Sequence, residues 1–150
     1  MPQSLANILV HLIFSTKERQ PWIQDDVRSH LHAYLVGILE NHRSPSLATN
    51  SVENHIHILF ALSRNHSVAK IVEEVKKGSS IWIKTQGPAY EQFHWQNGYG
   101  AFSVGQSQAP VVKRYIANQA EHHRKVTFQD EFRRFLDKYQ VKYDEKYVWD

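Results

Sequence analysis

Cysteine is absent from the 150 residues of this sequence. Its absence excludes a disulfide framework and any zinc site built on thiolates, and it fits a reducing compartment. The N-terminal region also lacks a long hydrophobic run, because the apolar stretch from Ile8 to Phe14 is interrupted by His11 and no basic segment precedes it. A bilayer-spanning helix needs about 20 apolar residues. We therefore expect a soluble, cytoplasmic protein with no membrane partner.

Motifs typical of nucleotide-hydrolysing enzymes and of repeat proteins are also missing. There is no Gly-rich GxxxxGK[ST] phosphate loop, no internal repeat and no low-complexity segment. Apolar residues nevertheless make up 41% of the chain and aromatic residues 12%, which is enough to bury a core. We predict one folded domain over residues 1–150. The formal net charge of +3 permits a nucleic-acid partner without requiring one.

The order of hydrophobic patterns predicts the fold class. β-Branched, apolar or alternating stretches typical of strands occur at 6–16, at 46–52, at 55–62 and at 99–105. Apolar residues at helical spacing follow the first strand and the third strand. Two further helices are predicted, one over about 108–125 and one that begins after Thr127 and leads into a tail ending at Asp150. We therefore predict an α+β protein with a ferredoxin-like βαββαβ antiparallel sheet, helices on one face and additional C-terminal helices.

The stretch "SVENHIHILF" places two histidines, His55 and His57, inside an apolar strand. Alternate residues of a strand share a face, so the two rings project together, about 6.5–7 Å apart along the chain, opposite Ile56 and Ile58. Two imidazoles at this spacing can bind one metal ion. In a chain with ten histidines such a pair is a weak signal. We interpret two other pairs as background: His30 with His32, as surface decoration, and His122 with His123.

A second pattern lies about 60 residues further on. Tyr115 and Gln119 are four residues apart in a helical stretch and so share a face. A tyrosine hydroxyl can act as a covalent nucleophile, and an amide oxygen can bind a metal, although a helical tyrosine more often only packs. The combination with the His-x-His strand is more specific than either pattern alone.

Four segments, "NHIHILF", "WQNGYGAFSVG", "YIANQAEHH" and "TFQDEFRRFL", carry a family resemblance. The sequence resembles the single-tyrosine HUH (His-hydrophobe-His) transposases of the insertion-sequence 200/605 group, including the relatives associated with repeated extragenic palindromes. The resemblance implies a homodimer in which the tyrosine helix of one subunit completes the site of the other. It also implies that single-stranded DNA with hairpins at the element ends is the substrate.

The resemblance further implies the roles of particular residues. His55, His57 and Gln119 would hold a divalent metal, Mg²⁺ or Mn²⁺, against the scissile phosphate. Tyr115 would attack that phosphate, which leaves a 5′-phosphotyrosyl link and a free 3′-OH. The residues considered for DNA contacts, through phosphates or through base stacking, are Lys76, Lys77, Lys84, Arg114, Arg124, Lys125, Trp82, Trp95, Tyr99 and Phe102.

Three other functions fit parts of the same pattern. A rolling-circle initiator or relaxase-type nuclease uses the same chemistry but usually carries further domains. A non-catalytic module that binds single-stranded nucleic acid would use a ferredoxin-like sheet with exposed aromatic residues. A dimeric scaffold with a fortuitous histidine pair would bind neither metal nor DNA.

Overall fold

The computed structural model describes residues 2–150. The strands in this part of the chain are β1 (Leu9–Ser15), β2 (Ser46–Ser51), β3 (His55–Ala61) and β4 (Gly100–Val104). The helices are α1 (Asp25–Asn41), α2 (Val68–Lys84), α3 (Ala109–Ala117), α4 (Gln119–His122) and α5 (Phe128–Lys138). The strands and the first two helices follow one another as β1-α1-β2-β3-α2-β4. No helix within residues 2–150 is long and apolar enough to cross a membrane.

The strands form one antiparallel sheet in the order β2-β3-β1-β4. The two central strands, β1 and β3, pair along their full length, with His57 opposite Ile13 and His55 opposite Ser15. This order and pairing confirm the ferredoxin-like prediction. Side chains of β1 and β3 are buried on both faces of the sheet, because helices pack against each face.

Helices α1 and α2 cover one face and close the larger apolar core. Strand residues that alternate with the histidines, among them Ile56, Ile58 and Phe60, pack there against the helices. Helix α2 begins after Ser67, whose side chain accepts a hydrogen bond from the amide of Lys70. Gly78 lies where α2 meets α1, and a Cβ atom at this position would lie 2.8 Å from Cδ1 of Ile38. The glycine therefore permits the close approach of the two helices.

The C-terminal helices cover the other face, so that helices lie on both sides of the sheet. The tyrosine helix predicted over 108–125 is interrupted, because α3 ends at Ala117 and α4 begins at Gln119. Asn50 of β2 donates hydrogen bonds from Nδ2 to the carbonyls of Ile116 (2.8 Å) and Ala117 (3.3 Å). This side chain satisfies carbonyl groups at the end of α3, which explains why the helix can end there. The following turn then redirects the chain toward the sheet.

The last helix begins as predicted and leads into an ordered tail. The Thr127 side chain accepts a hydrogen bond from the amide of Asp130 and caps α5. The predicted C-terminal segment 127–150 therefore divides into α5 and a tail from Tyr139 to Asp150. Arg19 donates to the carbonyl of Trp149 at 2.7 Å, and the Trp149 ring packs on Phe128. The tail thus docks on the protein itself.

Candidate active site

His55 and His57 lie side by side on the face of β3 that α3, α4 and α5 cover, and both are fully buried. Nδ1 of His55 lies 2.7 Å from Oδ1 of Asn54, and Nδ1 of His57 lies 2.8 Å from Nε2 of His11. The Nε2 atoms of both rings face the C-terminal helices.

Glu131 of α5 lies at the centre of these rings and is only 1% exposed. Its Oε1 atom lies 2.9 Å from Nε2 of His57, 3.1 Å from Nε2 of His123 and 3.4 Å from Nε2 of His55. One carboxylate oxygen therefore faces three imidazole nitrogens. A carboxylate buried in this way is stable only because its hydrogen-bond partners surround it.

The second oxygen of Glu131 faces the predicted nucleophile. The hydroxyl of Tyr115 donates a hydrogen bond to Oε2. Nε2 of His122 and Nε2 of Gln119 each lie 3.3 Å from the same oxygen. The structure therefore brings the predicted residues together, and Glu131 joins Tyr115 to the histidine cluster.

Four of these side chains have the spacing of metal ligands. One ligand atom each from His55, His57, His123 and Glu131 can be chosen so that all lie within 4.8 Å of one another. The Nε2 atoms of His55 and His123 are 3.0 Å apart. Ligands of a tetrahedral ion with bonds of about 2.0–2.1 Å are separated by roughly 3.3 Å, so small movements would accommodate an ion. Gln119 is buried beside this group, with Oε1 3.3 Å from Nε2 of His55.

Burial and the central carboxylate determine the charges of the site. Burial lowers the pKa of His55 to about 4 and that of His11 to about 3. Burial alone would raise the pKa of Glu131, but hydrogen bonds from the surrounding histidines outweigh it, so this pKa lies well below its ordinary value. Burial, followed by the negative charge of Glu131, raises the pKa of Tyr115 above its ordinary value. At neutral pH the site therefore contains an ionised carboxylate facing a protonated tyrosine.

Some residues considered for DNA contacts lie elsewhere. Lys76 is directed inward, and its Nζ donates to the carbonyls of Gln96, Asn97 and Gly98 at 2.7, 3.2 and 2.6 Å. Burial lowers the pKa of this lysine to about 8. The prediction that Lys76 contacts a phosphate is therefore not supported, since its ammonium group already has three acceptors.

The aromatic candidates are also largely engaged in packing. Trp95 is buried in the core and donates from Nε1 to Oγ of Ser79 at 2.9 Å, so it offers no ring face to a base. Trp82 stacks on Tyr34, and Phe102 is buried. Lys77 and Lys84 lie on α2 with Trp82, on the far side of the sheet from Tyr115. The remaining candidates, Arg114, Arg124 and Lys125, are exposed, and Arg124 forms an ion pair with Glu121 at 3.3 Å.

Glu131 and His123 are the main residues that the sequence analysis did not identify. The prediction that His122 and His123 are background is wrong, because the helix break at Asn118 turns both rings toward Glu131. Glu131 lies within the quoted segment "TFQDEFRRFL" but has no spacing rule that connects it to His55. The prediction that His32 is surface decoration is also wrong: its Nε2 lies 2.6 Å from Oγ of Ser51, and burial lowers its pKa to about 4.

Comparison with known proteins defines the family. Residues 4–119 match the family model described as "Transposase IS200 like". The chain therefore belongs to the IS200-like transposase family, and it is a transposase. No curated protein matches the chain significantly.

Solved structures support the same fold at low sequence identity. A candidate transposase from Deinococcus radiodurans R1 shares 21% identity with a TM-score of 0.62, covering 79% of this chain and 98% of its own. A REP-associated tyrosine transposase bound to a REP hairpin shares 12% identity with a TM-score of 0.61, covering 84% and 76%. At these identities the likeness concerns the fold alone.

Proposed function

We propose that residues 1–150 form a single transposase domain that cleaves and rejoins single-stranded DNA at hairpin-bearing element ends through Tyr115. The contact between the Tyr115 hydroxyl and Glu131, inside the histidine cluster, is the observation that carries this proposal. The similarity in fold to a transposase bound to a REP hairpin supports DNA hairpins as the substrate class. Arg114, Arg124 and Lys125 are exposed and are candidates for phosphate contacts.

The covalent step uses the second oxygen of Glu131. As Tyr115 attacks the scissile phosphorus, its proton passes to the groups that face the hydroxyl: Oε2 of Glu131, which accepts its hydrogen bond, and Nε2 of His122 at 3.3 Å. The bond between tyrosine oxygen and phosphorus forms, and the bond between phosphorus and the 3′ oxygen breaks. The products are a 5′-phosphotyrosyl link and a DNA end whose 3′ oxygen takes up a proton. The reverse reaction with another 3′-OH rejoins the strand without an external energy source.

A divalent metal fits the residues opposite the tyrosine. His55, His57, His123 and Glu131 would hold it, with Gln119 beside them as the further oxygen ligand that the family resemblance implies. When bound, it supplies positive charge that neutralises a non-bridging phosphate oxygen. The resemblance implies Mg²⁺ or Mn²⁺, whereas three imidazoles suit zinc or cobalt, so both groups of ions belong in the assays.

A covalent-adduct assay tests the proposal. Protein and an end-labelled single-stranded hairpin oligonucleotide are incubated with Mg²⁺, Mn²⁺, Zn²⁺ or Co²⁺ and separated under denaturing conditions. We expect an adduct that Tyr115→Phe abolishes and that Tyr34→Phe, on the opposite face of the sheet, leaves intact. An adduct that survives Tyr115→Phe would contradict the role of this residue. Metal-independent binding without an adduct would instead identify a non-catalytic binding module.

The subunit arrangement can be tested with two inactive variants. Within one chain Tyr115 already contacts Glu131, which supports a site assembled in cis. The resemblance implies a homodimer in which the tyrosine comes from the other subunit. Mixing Tyr115→Phe with His57→Asn would restore adduct formation only if sites are assembled in trans. Sedimentation of the same samples measures whether the protein is a dimer. We also propose that the protein acts in the cytoplasm.

A further inference from the structure

A cavity of about 270 Å³ opens beside Tyr115, between α3 and α5. Tyr115 and Glu131 lie on its inner side, while Val111, Phe135 and Tyr139 contribute apolar walls. Pockets for drug-sized ligands occupy about 300–1,000 Å³, so this cavity is suited to one small planar group. None of the steps proposed above uses it.

One wall of the cavity is built from fixed aromatic rings. The rings of Phe135 and Tyr139 are nearly parallel, with an interplanar angle of 9°. Each also stacks on Phe102, with ring centroids 5.4 and 4.9 Å apart respectively. Phe102 is buried in β4 and holds both rings in place. Such a rigid aromatic surface can stack with an unpaired nucleobase of any sequence.

Two cations stand at the same cavity. Arg134 and Lys138 are four residues apart on α5, line the cavity and are exposed. Within residues 2–150 neither side chain forms an ion pair with a carboxylate. The cavity therefore combines an apolar, aromatic wall with available positive charge, and this combination is complementary to a nucleotide.

We propose that this cavity receives the base of one nucleoside next to the scissile phosphate, while Arg134 and Lys138 contact the adjoining backbone phosphate. The inference rests on the proposed function, since an attacked phosphorus must come within about 3–3.5 Å of the Tyr115 oxygen. A nucleoside attached to that phosphate then reaches the cavity of which Tyr115 is a wall. Stacking there orients the strand for attack and makes an unpaired base at this position a requirement of the substrate.

Binding measurements with abasic substrates test the inference. Tyr115→Phe protein, which cannot form the adduct, is titrated with hairpin oligonucleotides in which each unpaired position in turn lacks its base. We expect one position to weaken binding by about tenfold. Val111→Trp fills the cavity from an exposed position. It should weaken binding of the intact oligonucleotide to a similar extent and remove the effect of the missing base.

Matched controls distinguish the cavity from a general effect. Ile81→Trp adds the same ring at an exposed position on α2, across the sheet, and should leave every affinity unchanged. Arg134→Gln with Lys138→Gln should lower the affinity for all oligonucleotides and reduce its salt dependence. If the effects of Val111→Trp and of the missing base on Kd multiply at every position, the two act independently, and the inference is overturned.

The adduct assay separates this inference from the proposed function. If wild-type protein forms an adduct but Val111→Trp removes the effect of a missing base at no position, the base pocket is overturned and the proposed transferase activity stands. If Val111→Trp removes the effect of a missing base at one position but no adduct forms, the transferase activity is overturned and binding of a base in the cavity stands. A protein that binds no hairpin oligonucleotide overturns both.

Discussion

The two faces of the sheet are built from the same strands but differ in chemistry. On the face covered by α1 and α2, Ile56, Ile58 and Phe60 of β3 enter an apolar core. On the other face, His55 and His57 of the same strand enter a buried polar cluster around Glu131. Burying apolar side chains stabilises the fold, whereas burying titratable groups costs free energy unless they are paired. The comparison indicates that one face is built mainly for stability, whereas the other holds the residues that we propose carry the reaction.

The buried polar cluster is stable because its polar groups pair with one another and apolar side chains enclose them. Nδ1 of His57 lies against His11, and its Nε2 atom lies against Glu131. Ile13, Phe128 and Phe132 form an apolar cluster on the same face. The low-dielectric surroundings strengthen each of these hydrogen bonds and make an unpaired group costly. Single substitutions should therefore separate the two faces.

The largest effect is expected from Ile58→Ala, to be compared with His57→Ala at the neighbouring position. Ile58 is fully buried in the core, so its truncation should lower the free energy of unfolding by about 2–5 kcal/mol. It should leave metal binding intact, because its side chain lies on the other face. The proposed metal would stabilise the fold by about 4 kcal/mol at a concentration 1,000 times Kd, and His57→Ala should abolish this stabilisation.

Denaturant unfolding with and without metal measures both quantities. Ile58→Ala should show a lower midpoint with the full metal-induced increase, and His57→Ala should show no increase. Leu35→Ala, in the same apolar core, serves as the control for loss of core packing alone. Loss of the metal-induced increase in Ile58→Ala and Leu35→Ala would show that the two faces are energetically inseparable.

The sequence predicted the apolar face more completely than the polar face. Alternation with period two along β3 correctly separates Ile56 and Ile58 from His55 and His57. These are local rules, and they also locate the helices that cover the core. Glu131 and His123 depend on a helix break near Asn118 and on the docking of α5, which no local pattern specifies.

A similar limit explains the residues assigned to DNA contacts. Lys76 and Lys77 are neighbours in a charged run, but a helix turns by about 100° per residue and directs them differently. Lys76 meets the carbonyls of Gln96, Asn97 and Gly98 from a loop 20 residues away. The sequence identifies charged residues, whereas the tertiary contact decides whether a charge faces solvent.

The pH dependence of stability in the metal-free protein is expected to be the next largest effect. The pKa values of His11 and His55 in the folded state, about 3 and 4, lie below the ordinary value of 6.5. The unfolded chain therefore takes up protons first as the pH falls below about 6.5, and stability is lost from there toward pH 4. Each histidine contributes up to about 1.4 kcal/mol per pH unit in this window.

Urea unfolding at pH 7, 6 and 5, with a chelator present, measures this slope. Substitution His11→Asn should reduce the slope between pH 6 and pH 5 by up to about 1.4 kcal/mol per pH unit, since one linked proton is removed while those of His32 and His55 remain. His30→Gln changes an exposed side chain and should leave the curve unchanged. A free energy of unfolding that stays constant from pH 7 to pH 5 would contradict the depressed pKa values of the buried histidines.

The smallest effect is expected from Lys76→Met, to be compared with Lys77→Met on the same helix. Lys76 is the donor to three loop carbonyls and lies over the ring of Phe14, so its loss should cost about 1–2 kcal/mol of unfolding free energy. The exposed Lys77 should change stability by less than about 0.5 kcal/mol. If Lys77 contacts a DNA phosphate, Lys77→Met should reduce the slope of log K against log salt concentration by about one, whereas Lys76→Met should leave this slope unchanged. A lower salt slope in Lys76→Met would show that its ammonium leaves the loop for DNA, and the face that stabilises the fold would then also take part in binding.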